Sequence, residues 1–261
     1  MNNQQTAKIL RKILLAGVPI AALLHEVAVL VSYDAGTNYF VANAPLPILA
    51  NLFTALLFVV GIVCTLVTEK PFAASSPFGS QIWVALPAAL GFAIAGVFLF
   101  LHFSSTGTTL SLVAAILLLL SAIHMLLSET AIKLSFLGFL PPLACASLVC
   151  ILYFDASLEM NAPMKVAVQC ALLPLMLYFT TELRYLLGRE LPRLYCALAL
   201  GSLAVSSLCI LTVPVATIMG TLENANCLIA AIAVIGINAT VALRQWRYLQ
   251  SPTPANRYEG D

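Results

Sequence analysis

The chain has 261 residues, of which 61% are apolar and only 9% charged, with 12 Lys and Arg against 11 Asp and Glu for a formal net charge of +1. A soluble domain carries about 25% charged residues and needs a polar exterior that this composition cannot supply. No run of five or more like charges occurs, which excludes a basic nucleic-acid surface and a polybasic lipid anchor. At a mean hydropathy of +1.00, the lipid bilayer is the expected solvent for most of the surface.

Crossing about 30 Å of hydrocarbon takes about 20 apolar residues per helix. Eight such stretches occur, at residues 13–33, 46–67, 82–103, 110–127, 134–154, 164–181, 194–218 and 227–243. The predicted fold is an all-α integral membrane protein with eight transmembrane helices and short tails at 1–12 and 244–261. The first stretch follows Lys8, Arg11 and Lys12 and is too long for the core of a cleaved secretory signal, so it is expected to stay as a helix. It places His25 and Glu26 near its midpoint, where a charged group costs about 2.5–3.5 kcal/mol on insertion scales. Successive residues on a helix point about 100° apart, so the two can both face a bundle interior but not a single partner. Glu26 is expected to be protonated or paired there. It is the leading candidate for proton or cation coupling or for substrate binding, with His25 beside it.

Asp34 ends the first helix, and Asn43 and Asn161 stand just before the prolines that open the second and sixth, where they are expected to act as caps. The third stretch is rich in Ala and Gly (Ala85, Ala88, Ala89, Gly91, Ala95, Gly96), as is the eighth (Ala230, Ala231, Ala233, Gly236, Ala239), which suits close helix packing in lipid. His102 sits at the outer end of the third stretch, and His124 lies toward the inner end of the fourth. With His25 they fall at three different depths, which argues against axial ligation of a haem, and no cofactor or metal is predicted. Glu129 and Lys133 are spaced to pair at the end of the fourth helix.

In the fifth stretch the pair Pro141-Pro142 is expected to kink or break the helix. It ends on Asp155, whose local sequence mirrors that of Asp34: each aspartate is followed by a small turn and then Asn-Ala-Pro, at Asn43 and again at Asn161. This echo suggests a parallel repeat of two four-helix units, 13–127 and 134–243. Either aspartate can form a local Asx turn or a cation-attracting mouth. The loop 182–193, with Glu182, Arg184, Arg189, Glu190 and Arg193, is the most charged and the expected contact for a soluble or membrane partner.

Eleven of the 12 basic residues fall on one side of an eight-span topology, with only Lys165 on the other. By the positive-inside rule both termini are then cytoplasmic. The seven cysteines all lie in apolar stretches without a Cys-x-x-Cys pair and read as packing residues. No phosphate loop, nucleophile elbow or paired-His zinc motif occurs. The expected function is that of a transporter-like or permease-like protein for a small solute or cation. The alternatives are a membrane anchor subunit of a redox or ABC-type complex and an intramembrane enzyme using Glu26 and a histidine as acid and base. Short loops point to a bacterial plasma membrane.

Overall fold

In the computed structural model the described residues are 3–67, 81–106, 108–128, 135–189 and 191–250. Among them lie α1 (Asn3–Ser32), α2 (Pro45–Val67), α3 (Ile82–Thr106), α4 (Thr109–Ser128), α5 (Leu140–Phe154), α6 (Pro163–Leu186), α7 (Pro192–Ser206), α8 (Thr212–Ile218) and α9 (Ala225–Gln250). Seven spans are long and apolar enough to cross a bilayer: α1, α2, α3, α4, α6, α9, and α5 together with the 3-10 turn before it, Ser135–Phe154. A two-residue antiparallel hairpin, β1 (Tyr33–Asp34) with β2 (Tyr39–Phe40), follows α1. The expected Glu129–Lys133 pair lies outside the described residues.

The distribution of side chains is inside-out relative to a soluble protein. Large apolar groups such as Leu66, Ile62 and Leu52 on α2 are exposed, whereas Arg11, Lys165, Glu182, Arg244 and Gln245 are buried. Only a surrounding hydrocarbon makes that arrangement favourable, so the chain is a polytopic membrane protein.

Proline starts helices here. Pro45, Pro163 and Pro192 open α2, α6 and α7, where their missing N–H has no intrahelical partner to lose. The same reason corrects the expectation for Pro141-Pro142: a short 3-10 turn, Ser135–Phe139, precedes them, and they occupy the first turn of α5 rather than bending its middle. The break falls instead in the seventh predicted stretch, between α7 and α8. There Ser206 and Ser207 turn their hydroxyls back onto the carbonyls of Ser202 (2.7 Å) and Ala204 (2.7 Å), and Pro214 offers no N–H to the carbonyl of Ile210. Asn161 does not cap α6, because Ala162 takes that position. Asn43 adopts φ +62°, a left-handed conformation that Asn tolerates well.

The tightest helix contact is the antiparallel pair α3 and α9. The backbone N–H of Ala88 donates to the Thr240 hydroxyl (2.9 Å), compensating for the proline before it. A Cβ added to Gly236 would sit 2.4 Å from the carbonyl oxygen of Pro87 and 2.7 Å from the Cα of Gly91. Both obstacles are backbone, so neither can swing aside. Gly236→Ala is therefore expected to destabilise the fold by about 1–3 kcal/mol, read as a lowered thermal midpoint in detergent. α1 and α2 pack on each other and on α7, while α4 packs on α3 and α5, so helices from the two sequence halves interleave. Trp83 and Trp246 are both exposed, and the α3–α9 register brings them to one level, a position that suits interfacial tryptophans.

Candidate functional site

α1 buries one face along its whole length, through Ala7, Arg11, Leu14, Val18, Ala21, His25, Ala28 and Ser32 at alternating spacings of four and three. His25 sits on that seam. Its Nε2 lies 2.9 Å from the Thr54 hydroxyl of α2, and Thr54 in turn lies 3.2 Å from the hydroxyl of Ser207 at the end of α7. The sequence did not single out Thr54 or Ser207, because each is an ordinary helical Ser or Thr until three helices converge. Together they tie His25 to the helix break.

Glu26 is the next residue around the helix and is 91% buried. Neither carboxylate oxygen has a hydrogen-bonding partner among the described residues. Because α1 begins at Asn3, well before the apolar run, and ends at Ser32, Glu26 lies in the last third of the helix and not near its midpoint. His124, on α4, is buried. His102 lies near the end of α3, so the three histidines stay on separate helices. Among the described residues no group of three or more His, Cys, Asp or Glu gathers as a metal site would require.

Asp34 and Asp155 form matching turns. Asp34 Oδ1 accepts from the N–H of Gly36 (2.9 Å), and Asp155 Oδ1 accepts from the N–H of Ser157 (2.9 Å), the Asx geometry in both cases. Asp155 also binds the next loop, its Oδ2 accepting from the side-chain amides of Asn224 (2.8 Å) and Asn226 (2.7 Å), while Asn224 caps α9 through the N–H of Cys227 (2.6 Å). Burial pushes the Asp155 carboxyl up, but the bonds from Asn226, Asn224 and Ser157 outweigh it and hold the group at about 2, below the ordinary 3.8. A depressed carboxylate contributes stability that is complete above its ordinary pKa and fades as pH falls toward the folded value. The thermal midpoints of wild type and Asp155→Asn are thus expected to differ by a constant amount between pH 7 and 5 and to converge below pH 4.

Lys165, the one basic residue expected on the outer side, is buried and spent on structure. Its ammonium donates to the carbonyls of Asp155 (2.7 Å) and Leu158 (3.2 Å). The hydroxyl of Tyr39 reaches Glu159 (2.5 Å) and Asn161 (2.5 Å), joining the first hairpin to the loop after α5.

At the opposite end two expectations are corrected. Glu182 and Arg244, expected in a loop and a tail, both lie inside helices, α6 and α9, and form a buried ion pair. Arg244 also donates to the Tyr178 hydroxyl (2.8 Å), which lies 2.8 Å from that of Tyr195 on α7. Arg11, assigned to the amino-terminal tail, is buried in α1 and donates to the sulfur of Cys196 on α7 (2.8 Å). The exposed basic residues of the predicted partner loop are Arg184, Arg189 and Arg193. They flank a tight helix end in which Gly188, at φ +71°, lets the N–H of Arg189 reach the carbonyl of Arg184 (2.8 Å). Comparison with protein-family models, curated proteins and solved structures gives no match.

Proposed function

We propose that the protein is a transporter-like carrier in which Glu26 binds a proton or small cation beside a broken helix. The observation that carries this reading is a buried carboxylate whose oxygens have no partner among the described residues, on a helix that packs against both α7 and α8, the two sides of the break. An ionised carboxylate in a low-dielectric interior needs a counter-charge, a proton or a cation to be tolerable. Discontinuous membrane helices supply backbone groups at such sites in many carriers, and His25, the residue before Glu26, is tied to this break through the Thr54 and Ser207 hydroxyls. On this reading α7, the break and α8 together make an eighth crossing, both termini lie in the cytoplasm, and the paired Asx turns reflect a four-helix duplication. The multi-pass chain would then sit in a bacterial plasma membrane.

Solid-supported membrane recordings on proteoliposomes test it with stepwise Na+, K+ and pH jumps. A transient current is expected for at least one of the three. Silence under all of them overturns the carrier reading. A membrane anchor is the second reading, favoured by the three exposed arginines around Gly188. It predicts that Arg184→Ala, Arg189→Ala and Arg193→Ala together release a co-purifying subunit.

A further inference from the structure

On α9 the buried positions Val234, Asn238, Val241 and Gln245 recur at the four-three spacing of one helix face. The amide oxygen of Asn238 and both amide atoms of Gln245 have no hydrogen-bonding partner among the described residues. Gly236 and Thr240 point the other way, into α3, and Arg244 points to α6. The face carrying the two amides is therefore turned toward the remaining neighbours of α9, chiefly α7, α8 and α1. On α1, Arg11 reaches α7 and His25 reaches α2. Fifteen residues on from Arg11, Glu26 is rotated about 60° away from it and about 100° from His25, which carries it past α7 to the side where α1 meets α8 and α9.

The heights also agree. Arg244 and Tyr195 share a level through the Tyr178 hydroxyl, and Arg11 and Cys196 stand beside them. From that level Asn238 is about 10 Å and Glu26 about 20 Å further along the bundle, at 1.5 Å per residue. Native interiors leave few polar groups unpaired, and a column of them facing one space is the signature of ordered water, which both donates and accepts.

We propose that Glu26, Asn238 and Gln245 line one hydrated track between α1, α7–α8 and α9, and that water in it relays protons between Glu26 and the end of the bundle at Arg244. The Glu26 carboxyl releases its proton to the adjoining water and is reprotonated from the other end, so no electron transfer or further reactant enters. The titratable and charged groups on the elements around the track are His25 and Arg11 on α1, Cys64 on α2, Tyr195 and Cys196 on α7, Cys209 in the break, and Cys227 and Arg244 on α9, with Tyr178 and Glu182 of α6 holding Arg244, His124 of α4 within electrostatic reach of Arg244, and Tyr185 of α6 packed on Tyr195. Tyr33 and Asp34 stand at its outer mouth, and α8 contributes none.

The conduction step rests on the carrier reading of Glu26, whereas hydration of the track can be measured without it. Asn238→Cys and Gln245→Cys, in the full chain in proteoliposomes, would be treated with methanethiosulfonate-ethylammonium and read by site-resolved mass spectrometry, since a thiol must meet water to ionise and react. Both introduced thiols are expected to be modified while Cys145, buried in the apolar core on α5, is not. In parallel, Asn238→Leu and Gln245→Met are expected to slow dye-monitored proton uptake several-fold with an unchanged or raised thermal midpoint. Introduced thiols as inert as Cys145, or proton uptake untouched by both apolar substitutions, would overturn the track. Labelling without any wild-type ion flux would overturn the carrier reading and the relay with it.

Discussion

Glu26→Gln is expected to reduce ion-jump currents to background while leaving the protein folded, with a thermal midpoint equal to or above that of wild type. The two effects have one cause. A carboxylate without a partner is a cost to the fold, because it is 91% buried and both oxygens are unpaired among the described residues. Gln has nearly the same volume and no charge to neutralise, so the fold loses nothing and the site loses its ability to exchange a proton or hold a cation. Glu26→Asp keeps the charge and shortens the side chain, so currents should persist with altered ion dependence. Full currents in Glu26→Gln would remove this residue from the mechanism. A collapse of the thermal midpoint would show instead that the carboxylate holds the helices together.

The largest expected loss of stability comes from the other end of the bundle. Glu182→Gln takes the carboxylate away from the buried Arg244 guanidinium, and breaking one partner of a buried pair typically costs about 3–5 kcal/mol. Tyr178 stays in contact but offers only a neutral hydroxyl. The double variant Glu182→Gln, Arg244→Met removes both charges, and most of the stability should return, because desolvation of the pair offsets much of its attraction. Detergent-to-SDS unfolding titrations of the two single variants and the double variant give the coupling directly. Near-additive losses would show that the two side chains do not act as a pair.

The helices were largely legible because lipid exposure demands about 20 apolar residues per crossing, a constraint that needs no knowledge of neighbours. All eight predicted stretches contain helix, and seven agree with one long apolar helix or with a 3-10 turn followed by one. Where prediction failed, charge position misled it. Glu182, Arg244 and Arg11 look like loop or tail residues because each lies at the end of an apolar run, yet each is buried in a helix. Proline was misread in the same way. Pro141, Pro142 and Pro214 all land in the first turn of a helix, and what differs is the chain before them: a 3-10 turn leads into α5, whereas an inward-turning serine pair and an irregular stretch precede α8.

The candidate site divides along similar lines. Glu26 stood out in the sequence because a carboxylate in an apolar helix is costly wherever the helix goes. Asn238 and Gln245 did not, although their spacing of seven places them on one face, because an amide alone in a helix gives no sign of whether it meets lipid, a partner or an interior space. Thr54 and Ser207 are visible only once α1, α2 and α7 meet. The sequence by itself determined the solvent, most of the helices and the cost of a carboxylate at Glu26, since each follows from transfer free energies along a single chain segment. Which helices touch, where the seventh stretch breaks and which polar groups share a space were decided by the tertiary structure, because those depend on packing between segments far apart in the chain.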